Sequence, residues 1–146
     1  MDTKRLIIGT IAGGIVLYIL GYIIWEVTFA DFFAANAGSA TGAFRDNPVM
    51  WALALGTLSY AALLTLAIGT RGGSATIVEG LKTGAIVGFL MWFGVNFIYY
   101  GIANISNLTA TIAYSLLELI RGGIGGAVIA AVLGKIGGTQ ESPQLD

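Results

Sequence analysis

Cysteine and histidine are both missing from the 146 residues of this chain. Their absence excludes disulfides, thiolate and imidazole metal sites, histidine-ligated haem and histidine-based proton transfer. Charge is scarce as well, with 7 Lys+Arg against 8 Asp+Glu and a net charge of -1. No basic run is available to neutralise a row of phosphates, so nucleic acid is not an expected partner. Paired carboxylates of the glycosidase kind and an HExxH sequence are also missing, and the lysines lie at the edges of the apolar runs. A serine or lysine nucleophile would therefore lack a base, and the expectation is a non-enzymatic protein with no catalytic residue, metal or cofactor.

What the chain does have is apolar mass and glycine. Apolar residues make up 56% of it and glycine occurs 22 times against 2 prolines, with a mean hydropathy of +0.84. That is membrane composition, and glycine in bulk suits helices packed closely in lipid. A helix needs about 20 mostly apolar residues to cross the hydrocarbon core. Four stretches qualify, at about residues 6–25, 49–69, 83–103 and 110–135. The reading is an all-α integral membrane protein, a four-transmembrane-helix bundle forming one domain over residues 1–135. A polar, disordered tail is expected over residues 136–146. The first apolar run is too long for a secretory leader, so an uncleaved span is expected.

Lysine and arginine set the orientation. Lys4, Arg5, Arg71, Lys82 and Lys135 fall on one side of a four-span arrangement and only Arg45 on the other. Both termini are thus expected in the cytoplasm, with the connection between spans one and two outside. That connection carries Trp25, Phe29, Phe32 and Phe33 at helical spacing, which predicts an interfacial helix between the first two spans. Asp46, Asn47 and Pro48 form a helix-start signal for the second span, and Asn107 or Thr109 would cap the fourth.

Small residues recur every four positions in three places, one of them Gly9 with Gly13 in the inner half of the first span. Gly122, Gly126, Ala130 and Gly134 line one strip of the last span, and Gly80, Gly84 and Gly88 line the inner half of the third. Such strips predict tight helix crossings, either within one bundle or in a homo-oligomer or larger membrane complex.

Glu118 and Arg121 stand out against this background. Eight and eleven residues into the last span, they sit about 12 and 16 Å below its outer boundary. An ionised residue at the centre of a membrane helix costs about 2.5–3.5 kcal/mol on the insertion scale, so this face is expected to turn inward. Spaced by three, the two side chains are placed to pair with each other. Asn96, Glu26 and Tyr99, with Tyr22 and Tyr114, would extend a polar intramembrane cluster in the outer half. Two uses are open: a structural ion pair that fixes helix register, or a site for an ion or small polar solute.

The stretches "GLKTGAIVGFLMWFGVNFIYYGIANISNLT" and "LYILGYIIWEVTFADFFAANAG" resemble a family of short, uncharacterised bacterial inner-membrane proteins of four helices. The likeness covers most of residues 4–135. It implies a four-span bundle in the bacterial inner membrane and brings no activity, cofactor or catalytic residue with it. The functional expectation is an accessory or scaffold-type membrane component acting through glycine-mediated helix contacts in the lipid bilayer. The alternative is a small carrier or channel using Glu118, Arg121 and Asn96.

Overall fold

The computed structural model describes residues 1–70 and 76–137, so Arg71 and the expected disordered tail from residue 138 onward lie outside the described residues. Five α-helices follow in order: α1 (Thr3–Gly21), α2 (Ala30–Ala35), α3 (Met50–Gly69), α4 (Ile77–Ile102) and α5 (Leu108–Gly137). A π-helical segment, Tyr22–Thr28, continues α1 directly. Among the described residues four helical stretches are long and apolar enough to cross a membrane: Thr3–Thr28, Met50–Gly69, Ile77–Ile102 and Leu108–Ile136.

Local chemistry explains where the helices begin. Asp2 caps α1 by accepting from the Arg5 amide at 2.8 Å. At α4 a reciprocal capping box forms, in which Thr76 Oγ1 accepts from the Glu79 amide and the Glu79 carboxylate accepts from the Thr76 amide. This box starts the helix at Ile77, ahead of the expected boundary near residue 83, because two of the orphan amides at the helix start are satisfied there. Asn107 caps α5, its Oδ1 accepting from the Ala110 amide at 2.9 Å. The signal at Asp46, Asn47 and Pro48 does not cap α3; Val49 occupies that position with no side-chain cap, and its carbonyl accepts from Ala52 and Leu53.

The helices pack as an antiparallel bundle in which α4 and α5 share the most extensive contact and α1 lies against both α3 and α5. Glycine makes the α4–α5 crossing close. A Cβ placed on Gly84 would fall 2.9 Å from both the Gly122 carbonyl carbon and the Gly126 Cα. One placed on Gly126 would lie 2.9 Å from the Gly84 Cα, so the two backbones occupy the space that side chains would need. Gly80 and Ala130 extend this crossing towards the start of α4, Gly88 extends it towards the end of α4, and Gly134 is half-buried nearer the end of α5. Elsewhere glycines receive side chains: Ile129 fills the notch at Gly13, and Leu17 fills the one at Gly125.

The surface carries rows of large apolar side chains, and several polar side chains are buried together with an apolar core. Ile7, Ile11, Ile15 and Ile19 form an exposed row along α1, and Ile86, Leu90, Leu116 and Ile120 are exposed on α4 and α5. Thr65, Thr83, Thr111, Ser115, Glu118 and Arg121 are buried. Leu17, Leu64, Ile68, Ile129 and Leu133, each 0–1% exposed, form the apolar centre below Arg121.

At the opposite end the long connection is stitched to the α4–α5 turn. Gly38 donates to the Ile105 carbonyl at 3.0 Å and Ala40 to the Asn104 carbonyl at 2.9 Å. The Asn107 amide donates to the Asn36 carbonyl, and the two asparagine side chains bond each other at 2.9 Å. Asn104 also bonds Ser39. The "NISN" turn thus serves α5 as a cap and the preceding connection as an anchor.

Candidate functional site

The chemistry of the bundle concentrates where α5 passes α1. Arg121 stands near the middle of α5, and its Nη1 donates to Glu118 Oε1 at 2.6 Å. The Nε of the same guanidinium crosses to α1 and donates to the Leu17 carbonyl at 3.0 Å. The inward-facing pair expected from the helix spacing is present, but it is not self-contained, since the arginine also holds the first helix. Its guanidinium carbon lies 5.8 Å from the centre of the Tyr60 ring, within the range of a cation–π contact. Glu118 is fully buried, and its Oε2 has no hydrogen-bond partner among the described residues.

Above Arg121 the bundle opens into a cavity of about 470 Å³ between the end of α1, the start of α3, the second half of α4 and the first half of α5. Arg121 forms its floor, and Glu118 takes no part in the lining. Tyr18, Tyr22, Trp25, Tyr60, Trp92 and Tyr114 supply rings to the walls, with Gly21 and Gly56 between them. Those two glycines differ in what surrounds them. A Cβ on Gly21 would lie 3.1 Å from Arg121 Nη2, whereas one on Gly56 would meet nothing within 4 Å. Gly21 is the opening through which the end of the arginine reaches the cavity, and Gly56 faces free space.

The π-helical segment builds one side of these walls. Its Phe29 amide donates to the Ile24 carbonyl five residues back, at 3.0 Å, which is the wider turn of a π-helix, a feature frequent at functional sites. On that turn the Trp25 ring stacks on Tyr114 with centroids 4.0 Å apart and planes 6° from parallel. Phe33 of α2 packs edge-on to Trp25 at 5.2 Å and approaches Tyr114 at 5.8 Å. Trp92 lies 5.6 Å from Tyr114 and 6.4 Å from Tyr60. A continuous run of rings therefore links α2 to the guanidinium.

Of the residues singled out from sequence, Glu118 and Arg121 come together and Glu26 lies at the cavity wall, exposed. Asn96 lies level with Ser115, one turn before Glu118 on α5, where its Nδ2 approaches Ser115 Oγ at 3.4 Å. Ser115 in turn donates to the Thr111 carbonyl at 3.1 Å. Tyr99, half exposed near the C-terminal end of α4, takes no part in the cavity lining. Sequence reasoning missed Tyr18, Tyr60, Trp92, Gly21 and Gly56. A ring in an apolar helix reads as ordinary core or belt, and only the packing of four helices makes a common wall of them. Among the described residues no group of three or more acidic side chains is placed to hold a metal ion.

Comparison with protein-family models, with curated proteins and with solved structures finds no match for the chain.

Proposed function

We propose that this chain is a four-span integral protein of the bacterial inner membrane that works without catalysis, by holding a small hydrophobic molecule in the cavity above Arg121. The apolar surface and the buried polar groups support membrane residence. Isoleucine and leucine rows on the outside, with threonine, serine, glutamate and arginine within, suit a lipid solvent and would be costly in water. The bacterial inner membrane is an expectation of the sequence reading of residues 4–135 and draws no support from the comparisons. The basic residues support cytoplasmic termini, with the α2 segment lying on the outer face as an interfacial element.

The observation that carries the binding role is the contrast between the two halves of the bundle. Glycine crossings and five apolar side chains at 0–1% exposure fill the inner half, while the outer half holds a cavity of about 470 Å³, within the usual size of small-molecule sites. A carrier or channel would need a path through that inner half, where Leu17, Leu64 and Ile129 stand. An accessory role through helix contacts is the second reading. It draws on Gly94 and Gly101 of α4, where an added Cβ would meet nothing within 4 Å, because the strips at Gly84 and Gly126 are occupied within the chain.

Native mass spectrometry of the full chain released from mild detergent tests the proposal. The wild type is expected to retain one small molecule and Gly56→Leu to lose it. A bare wild-type chain, or a bound species indifferent to Gly56→Leu, would overturn the binding role.

A further inference from the structure

The cavity specifies more than size. Its walls, rim and floor each restrict the chemistry of what it holds, and the inference drawn from them rests on the binding role proposed above.

The rim is apolar. Tyr22, Met50 and Leu53, which line the cavity, are 62%, 58% and 50% exposed. In a membrane these side chains meet acyl chains, so the way in leads from lipid and selects a lipid-soluble molecule. The walls are rings, and the stacked pair Trp25 and Tyr114 already presents parallel planes. Such walls favour a flat, conjugated ligand that can stack or meet them edge-on.

The floor supplies a donor. Arg121 gives its Nε to Leu17 and its Nη1 to Glu118. Nη2 has no hydrogen-bond partner among the described residues, and it lies beside Gly21 at the cavity lining. A ligand oxygen could accept from Nη2, which the bonds to Leu17 and Glu118 leave available. The charge of that oxygen is restricted in turn. The positive charge of Arg121 is already balanced by Glu118 at 2.6 Å, and Glu26 stands at the cavity wall. A carboxylate or phosphate placed here would bring a negative charge that Arg121 is not free to balance, which is unfavourable out of water, whereas a carbonyl oxygen accepts the same bond without one.

We infer that the cavity binds a neutral, flat, lipid-soluble carbonyl compound of the quinone class. Its ring lies among the aromatic walls, one carbonyl accepts from Arg121, and any tail leaves between α1 and α3 into the bilayer.

The test uses the full chain in phosphatidylcholine nanodiscs. Trp51→Phe removes the exposed tryptophan and leaves Trp25 and Trp92 as reporters. A decyl-substituted benzoquinone is titrated against tryptophan emission, and thermal stabilisation is compared among this quinone, decylbenzene and oleate. The quinone is expected to quench saturably and to stabilise the chain, and the other two are not. Gly56→Leu, which places a side chain in the cavity where an added Cβ meets nothing within 4 Å, is expected to weaken the quinone effect about tenfold or more without lowering the melting temperature. Should oleate or decylbenzene stabilise in a Gly56-dependent manner while the quinone does not, the ligand class is overturned and the binding role stands. Quinone quenching that is equal in Gly56→Leu places the molecule outside the cavity and overturns the inference. If no probe gives a Gly56-dependent effect, the inference fails and the binding role fails with it.

Discussion

Arg121 Nε donates to the Leu17 carbonyl across the α1–α5 contact at 3.0 Å. An arginine in an apolar helix has thereby become a tie between the first and last helices, with the same guanidinium paired to Glu118. The energetic role of the pair can be separated from that of the tie.

In a thermal-stability cycle of Glu118→Gln, Arg121→Met and the double variant, each single change leaves a buried partner uncompensated and is expected to destabilise by about 3–5 kcal/mol. The double variant should recover most of that loss but remain about 1 kcal/mol short, because the Leu17 carbonyl loses its donor. Mild, additive single effects would mean that water from the cavity solvates the remaining charge.

Glycines of α4 divide into two groups that respond oppositely to a methyl group. Gly84→Ala drives a Cβ into the backbone of α5 and should destabilise by about 1–3 kcal/mol. At Gly94 nothing lies within 4 Å of an added Cβ, and alanine there should stabilise by about 0.5–1 kcal/mol through the lower conformational freedom of the unfolded chain. Melting of the two variants in one detergent checks both signs. Equal responses would show that α4 and α5 do not cross at Gly84.

Orientation is tested by cysteine accessibility, helped by the lack of native cysteine. A cysteine at Ser39, beside the Asn104 anchor, should react with impermeant maleimide in intact cells. One at Thr76, ahead of α4, should react only after permeabilisation. The reverse pattern would invert the proposed topology.

Composition and periodicity determined by themselves that the chain makes four long apolar helices, because a helix satisfies its own backbone wherever it is placed and its length is written in the apolar run. They also placed Glu118 and Arg121 within reach of each other, since spacing along one helix is local geometry. The boundary of α4 was misplaced from hydropathy because its start is set by the polar box of Thr76 and Glu79. Only the tertiary structure decided which surface the glycine strips meet, that Arg121 holds Leu17 as well as Glu118, and that six rings from four helical stretches enclose one space. Those are relations between segments far apart in the chain. The physical reason is that an apolar helix with small faces is compatible with many partners, so periodicity names the face while the choice among partners belongs to packing. The cavity is the clearest case: it exists because α1 continues as a π-helix that lays Trp25 on Tyr114, while Gly56 of α3 leaves the facing space unfilled.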